Sequence, residues 1–378
     1  MAFDVTLPQC SLQGLLRAAG RAISARSAQP VLQGILLVAG EDRLAATGYD
    51  MAMGVRSGAA AIVAEAGSVV VPHKMLSALV AALPEGSMVR LVAQETGALA
   101  IEAGEGRYSV ALTHEPDDFP TLPTLGEVEP LALPFGAIKR ALGAVSFAVS
   151  TNEAKQILCG VEFAIKGGDL RVSGIDGHRF SIYKLPGIVE TGEESSFVMP
   201  GPAVKELLKL GLSDDDLLLI SHTTAFALLD AGDTAIITNL IAGTYPDATK
   251  LLPKTCGTAI VGDRLSLIAA VERAAIVANA ETGGVSFAYD AKTGDISISV
   301  ANESGTAADL VAAEPGSKGQ DFTLTLSSRY SLDALRHVET ELVSIGFADP
   351  RMVQVSPVGS VPHRQLIAAI EKRTAKQD

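Results

Sequence analysis

Tryptophan is absent from the 378-residue chain, and the aromatics together make up only 4% of it, so its cores have to be aliphatic. Long apolar runs are missing too. None approaches the roughly 18 residues of a membrane span, and no basic, apolar, small-residue export pattern opens the chain. A membrane partner is therefore not expected, and the chain reads as cytoplasmic. Cysteine is scarce: Cys10, Cys159 and Cys256 are odd in number and far apart, with no CxxC pair and no Cys/His metal spacing. That excludes a disulfide framework and leaves thiols in a reducing compartment. No metal and no cofactor is expected.

Basic residues are also in deficit, 30 against 43 acidic, for a net charge of −13. Taken whole, this balance argues against nucleic acid, but a whole-chain sum says nothing about where the charges lie. A hydrophobic content of 48% with 19% charged residues indicates a well-buried globular protein, and the length suggests two or three domains.

Internal repetition organises the chain. "SVVVPHKMLSALVAAL" (68–83) has a counterpart in "SFVMPGPAVKELLKLGL" (196–212) and a third in "FTLTLSSRYSLDALRHV" (322–338). Each is a β-rich run followed by a helix, opened by Pro72, by Pro200, or by Ser327 and Ser328 as candidate N-caps. "TLPQCSLQGLLRAAGRAIS" (6–24) matches "ALPFGAIKRALGAVSFAVS" (132–150), and "DDFPTLP" (117–123) matches "GTYPDATKLLP" (243–253). "EAGEGRYSV" (102–110) lines up with "DAGDTAIIT" (230–238) and loosely with "VGSVPHRQL" (358–366). Three repeats of about 126 residues fill the chain, giving domains 1–126, 127–252 and 253–378. Each holds two βαβββ units, so an α+β fold is expected, with two helices per domain packed on antiparallel sheets.

The helical windows 9–26, 73–83, 134–149, 201–210, 262–279 and 328–338 segregate charge. They contain Arg17, Arg21, Arg26, Lys74, Lys139, Arg140, Lys205, Lys209, Arg264, Arg273, Arg329 and Arg336. Their only acids are Glu206, Asp263, Glu272 and Asp333, an excess of eight positive charges that leaves −21 for the sheets and loops. Ordinary solvated helix faces mix signs at i,i+4. Here Arg17/Arg21 and Lys205/Lys209 place like charges four apart, which favours a surface meant for an anion. Without interleaved aromatics, the expected contact is with phosphate and independent of base sequence.

"GIDGHRF" (174–180) raises an enzymatic alternative, a hydrolase with Asp176 and His178 as a general acid–base pair. Residues i and i+2 of a strand share a face, so the pair could meet. No nucleophile motif accompanies it. One repeat earlier "GYDMAMG" (48–54) keeps Asp50 but has Ala52 where the histidine would be. A recurring Gly-x-Asp with a variable partner reads as a turn in which Asp bonds its own backbone. "GDLRVSG" and "AGEGRYSV" are hairpin turns rather than phosphate loops. Asp214, Asp215 and Asp216 form a solvated loop, and His73, His114, His222, His337 and His363 are scattered without a role. A scaffold that binds only peptides would have no need of cationic helices.

The threefold repeat, "IDGHR" after a strand, "MPGPAVKELLKL" beyond it and "YPDATKLLP" closing the second repeat resemble the bacterial DNA polymerase III β subunits, the sliding clamps. The resemblance implies a head-to-tail homodimeric ring whose helices face duplex DNA, a processivity factor with no catalytic site of its own. It implies that Asn152 joins the basic helix residues, Arg26 and Lys74 among them, at the DNA. It implies a dimer interface of Lys74, Tyr108 and Val110 against Ile276 and Val277. A peptide pocket between domains 2 and 3 is implied at Leu158, Ile175, Gly177, His178, Arg179, Phe180, Pro246, Lys250 and Leu251, with Leu366 and Ile367 of the last strand. Its partners would be the polymerase III alpha subunit, the clamp loader and other proteins with a clamp-binding motif. Ile175 stands where the family usually has threonine, Lys250 where it often has arginine, and Ala368–Ala369 where a Met-Pro pair is typical. These departures imply an altered peptide preference, and a specialised or paralogous clamp is the alternative reading.

Overall fold

The computed structural model describes residues 2–24, 27–190, 194–278 and 283–370. The first repeat opens with β1 (Asp4–Pro8), α1 (Gln9–Ala19), β2 (Gly34–Gly40), β3 (Arg43–Tyr49) and β4 (Met53–Ala60). A short β5 (Ile62–Glu65) precedes β6 (Gly67–Pro72), α2 (His73–Ala81), β7 (Met88–Gln94), β8 (Ala98–Ala103) and β9 (Gly106–Ala111). The second repeat has β10 (Leu131–Pro134), α3 (Phe135–Val145), β11 (Gly160–Lys166), β12 (Asp169–Ile175) and β13 (Arg179–Leu185). It continues through β14 (Ser195–Pro200), α4 (Gly201–Leu207), β15 (Leu217–His222), β16 (Phe226–Asp230) and β17 (Thr234–Asn239). The third runs β18 (Thr258–Asp263), α5 (Arg264–Val277), β19 (Gly284–Asp290), β20 (Asp295–Asn302) and β21 (Gly305–Ala312). It ends with β22 (Phe322–Ser327), α6 (Ser328–Arg336), β23 (Leu342–Phe347), β24 (Met352–Pro357) and β25 (His363–Ala368).

The six expected helices are all present, some shorter than their windows. The 9–26 window ends its α-helix at Ala19 and tightens into a 3-10 turn at Gly20–Ala22. A Cβ at Gly20 would lie 2.3 Å from His73 Nε2, so glycine stands where α1 and α2 approach closely. Strand β5 is an addition that the repeat pattern does not announce. Of the two candidate caps on α6, Ser327 does the work, accepting a hydrogen bond from Tyr330 N. Asp263 does the same for α5 through Ser266 N at 2.8 Å.

All strand pairing is antiparallel, and the sheets do not respect the repeat boundaries. One five-stranded sheet has the order β5-β1-β7-β8-β9, and one four-stranded sheet the order β21-β20-β19-β22. The other two sheets are eight-stranded, β10-β15-β16-β17-β4-β3-β2-β6 and β14-β11-β12-β13-β25-β24-β23-β18. In each eight-stranded sheet, strands of consecutive repeats join: β4 to β17, and β13 to β25. The chain accordingly divides within its second repeat into two compact units. One comprises Met1–Phe135 with Lys205–Leu240, the other Gly136–Val204 with Ile241–Asp378.

The cores are aliphatic, as the composition requires. In the first unit Leu12, Leu15, Leu16 and Ala19 form one stripe of α1 at helical spacing, packed with Ile35, Leu37, Leu44 and Val69 of the strands. In the second, Ile296, Ile298 and Val300 alternate inward along β20 against Leu267, Val271 and Ala274 of α5.

Candidate functional site

The Asp-containing turns are alike in both repeats. Asp176 Oδ1 accepts hydrogen bonds from His178 N (2.8 Å) and Arg179 N (3.0 Å). Asp50 Oδ1 accepts from Ala52 N (2.9 Å) and Met53 N (2.7 Å). The intervening residue is left-handed in each case, Gly177 with φ +98° and Met51 with φ +74°. The second oxygen of Asp176 accepts from Arg179 Nε at 2.9 Å, so this carboxylate is committed to a turn and an ion pair while His178 stays exposed. The pair is not arranged as an acid–base couple.

Arg179 is the centre of the second unit's polar seam. It is only 6% exposed, ion-paired to Asp176 on its own turn and to Asp333 on α6. Its guanidinium lies 4.6 Å from the Tyr330 ring centre and 5.2 Å from that of Phe147, while His337 stacks on Phe147 at 4.4 Å. Two carboxylates and two aromatic faces together offset the desolvation of this buried cation. Further along the β13–β25 pairing, Ser181 Oγ donates to Ala144 O (2.7 Å) and lies 3.0 Å from His363 Nε2. Burial holds the pKa of the His363 imidazole down to about 4.

Beside this seam lies a small apolar cluster of Phe180, Ile182, Ala248 and Leu366, with Ile175, Leu252 and Met352 partly buried against it. The proposed pocket residues Ile175, Phe180 and Leu366 are thus brought together by the β12–β13–β25 pairing. Gly177, His178, Pro246, Lys250 and Leu251 are exposed, Leu251 at 55% and Lys250 near Asp247 at 3.9 Å. Leu158 is buried and lies outside the cluster. One correction concerns the last strand. Leu366 and Ile367 are 0% and 1% exposed, so they are core residues beneath the surface rather than groove walls. The reason is that both faces of β25 are covered: Leu366 packs into the Phe180–Ile182–Ala248 cluster on one, and Ile367 into the core formed with α5 and α6 on the other.

Sequence reading missed Tyr245, Tyr330, Phe147, Asp333 and Met352. Tyr245 is buried, its hydroxyl accepting from Ile175 N (3.1 Å) and donating to Gly160 O (3.2 Å), and burial raises its pKa. Its counterpart one repeat earlier is Phe119, which was the available clue. The others lie far away in sequence, where no spacing could connect them.

Arg17, Lys74, Lys139, Arg140, Lys205 and Arg329 are exposed, as is Asn152, whose side chain caps a 3-10 turn through Ala154 N. Arg21 and Lys209 share Glu206, at 3.7 and 2.7 Å. Arg264 Nε donates to Thr340 O at 2.9 Å, Arg336 pairs with Glu272 at 2.6 Å, and Arg273 holds Asp309 of β21 through two bonds of 2.9 Å. The bond from Arg273 keeps the Asp309 carboxyl below its usual range. Arg26 lies outside the described residues. The like-charged Lys205/Lys209 spacing is thus relieved by an intervening acid, which the charge count alone did not show.

Of the residues expected at a dimer interface, Tyr108 and Val110 lie on one edge strand, Ile276 and Val277 on the helix beside another, and Lys74 on α2. Strands β9 and β21 are terminal in their sheets. Beside β21, Ile276 on α5 is 84% exposed, Val277 O accepts from Asn302 Nδ2 at 2.6 Å, and Leu310 is largely exposed. On β9 Tyr108 is exposed. Val110 is not: at 1% exposure it packs in the core beside its cross-strand partner Leu99, whereas Tyr108, on the same face opposite Ile101, is exposed.

Three family models account for almost the whole chain in succession. The N-terminal domain of the DNA polymerase III beta subunit matches residues 4–123, the central domain 132–247 and the C-terminal domain 249–371. The chain belongs to this family, the DNA sliding clamps. The beta sliding clamp of Synechococcus elongatus is 28% identical over 373 residues, covering 97% of this chain and 98% of its own. That of Staphylococcus aureus is 27% identical over 338 residues, covering 86% and 88%. Among solved structures, the sliding clamp of Bacillus subtilis superimposes with a TM-score of 0.91 at 24% identity, over 98% of this chain and 100% of that one. A Pseudomonas aeruginosa clamp bound to griselimycin gives 0.93 at 23% identity, with the same coverage. The fold is the three-domain sliding-clamp fold. Among the described residues no helix is long and apolar enough to cross a membrane, and no group of three His, Cys, Asp or Glu could hold a metal ion.

Proposed function

We propose that two copies of this sliding clamp close head to tail into a ring around duplex DNA, with domains 1–126, 127–252 and 253–378 of each copy. Strand pairing carries this reading. The strand that ends the first βαβββ unit of a repeat pairs with the strand that ends the next repeat: β4 with β17, and β13 with β25. By the same count β21 should pair with the final strand of a following repeat, and β9 with a strand of a preceding one. Neither has such a partner among the described residues. A second copy supplies both, so that neither of these two edges is left open, as a closed head-to-tail assembly requires.

The register of the two observed junctions transfers directly. Met53 pairs with Thr238 and Arg179 with Ile367. Applied to the open edges, that register sets Gly305 opposite Val110 and Ala307 opposite Tyr108, with Ile276 beside the join. The exposed cations Arg17, Lys74, Lys139, Arg140, Lys205 and Arg329, with Asn152, face the phosphates. A closed ring holds DNA by topology, so these contacts can stay weak and independent of sequence. Function then needs no catalysis from the chain itself, and the protein works in the cytoplasm on the chromosome.

Partner peptides from the polymerase alpha subunit, the loader and other motif-bearing proteins dock on the surface of the second unit. Ile175, Gly177, His178, Pro246, Lys250 and Leu251 form it over the Phe180–Leu366 cluster, and buried Arg179 fixes its turn. Ile175, Lys250 and the small Ala368–Ala369 pair set a peptide preference of its own, as a specialised clamp would have. The test is retention on DNA after loading. The protein should remain on nicked circular duplex through gel filtration and leave once the circle is linearised, whereas equal retention on both forms would rule out a ring.

A further inference from the structure

The first eight-stranded sheet carries a second groove. Ile35 and Leu37 of β2 enter the core with α1, so Leu36 and Val38 point to the opposite face. Register extends that face across the sheet: Leu36, Thr47, Arg56, Ala235, Asp230 and Leu219 are successive cross-strand partners. The adjacent row is Ser221, Leu228, Ile237 and Gly54. Residues 116–130 run over this face as a strap and enclose with it a groove of about 1290 Å³. Leu122 anchors the strap, and a Cβ on Gly54 would lie 2.4 Å from its Cδ2.

The internal repeat gives the groove a counterpart. Strap residues Pro120, Thr124 and Leu125 lie 126 positions before Pro246, Lys250 and Leu251. Ile237 pairs with Gly54 as Leu366 pairs with Phe180 one repeat later. The floors differ. In the second unit Phe180, Ile182 and Leu366 are buried in an apolar cluster. In the first, the equivalents of Phe180 and Ile182 are Gly54 and Arg56. Arg56 is exposed on the floor and makes no hydrogen bond or ion pair among the described residues; of the two carboxylates in the lining, Asp230 accepts from Gly232 N at 2.8 Å and Asp117 belongs to the strap.

We infer that this groove is a second docking site, taking an extended peptide segment of a partner protein with bulky aliphatic side chains and a carboxylate that meets Arg56. Leu36, Leu219, Leu228 and Ile237 supply the apolar floor. Backbone polar groups of the strap and the hydroxyls of Thr47 and Ser221 can fix an extended chain. The site takes its likeness to the second-unit surface from the repeat, so the two readings need to be separated by where a probe binds.

The probe is a fluorescein-labelled nonapeptide of Gly and Ser carrying two Leu, one Phe, one Asp and a benzophenone, paired with a version in which Lys replaces Asp. Both are titrated against the full-length chain and against Arg56→Glu, an exposed position whose change leaves the fold intact. The Asp peptide should cross-link within 116–130, and Arg56→Glu should weaken it about tenfold while reversing the preference toward the Lys peptide. Cross-links confined to 246–252, equal binding of the two peptides, or no saturable cross-linking to 116–130 would each overturn the inference. A cross-link at 246–252 reports the second-unit surface separately, so failure of one site is distinguishable from failure of the other.

Discussion

At position 51 the backbone is left-handed with φ +74°, and 126 residues later Gly177 repeats the conformation with φ +98°. Glycine adopts it freely, whereas Met51 does so against a cost of order 1 kcal/mol, held there by the two N–H groups bonded to Asp50. Recurrence of the turn through different residues is what exposes Asp176 as a backbone device. The buried His363 has a different consequence. Its folded-state pKa is depressed to about 4, and burial is the main cause. An unfolded histidine titrates near pH 6.5, so the unfolded chain takes up this proton first as the pH falls. The contribution is therefore fully present above pH 6.5 and is lost progressively down to pH 4, by up to about 3 kcal/mol. Urea midpoints measured at pH 7.5, 5.5 and 4.5 should fall less steeply for His363→Gln than for the parent chain. Parallel slopes would show that His363 is not the group responsible.

Elements carry the assembly. Strands β9 and β21 are edges flanked by exposed apolar groups, Tyr108 on one and Ile276 and Leu310 beside the other, an arrangement that invites strand addition. In a Cys10→Ser background, Tyr108→Cys with Ala307→Cys should oxidise to a dimer with two interchain disulfides. Mass spectrometry checks the pairing, and a cross-linked product lacking the 108–307 bond would refute the transferred register. Sequence periodicity made the six helices and most strands legible, because one stripe or one alternating face of each is apolar. It gave no sign of which strands pair across repeats, since β4 and β13 read no differently from β21.

For the whole molecule, charge is the readable quantity. The helical excess of eight positive charges in a chain of net −13 already separates a cationic surface from an acidic remainder. The structure narrows it, since Arg273, Arg336 and Lys209 are spent on Asp309, Glu272 and Glu206. Substituting Arg17, Lys74, Lys205 and Arg329 together with Gln should lower the salt dependence of duplex binding by about 0.9 for each phosphate that is no longer neutralised. Fluorescence anisotropy between 50 and 200 mM salt, roughly the range over which phosphate binding weakens, measures this. An unchanged slope would remove these residues from the DNA path.

What the sequence by itself determined is whatever repeats locally: three copies of a βαβββ pair, the Gly-x-Asp turns, the cap on α6, and the sign of the helix faces. Each depends on residues within one or two turns of chain, so spacing suffices to reveal it. Tertiary structure alone decided that Arg179 is buried between Phe147, Tyr330, Asp176 and Asp333, that Leu366 and Ile367 lie in the core, and that Val110 faces inward. These outcomes depend on partners far apart in the chain, 154 residues in the Arg179–Asp333 pair. Local pattern cannot encode them, because burial is set by which strand and helix arrive from elsewhere in the chain.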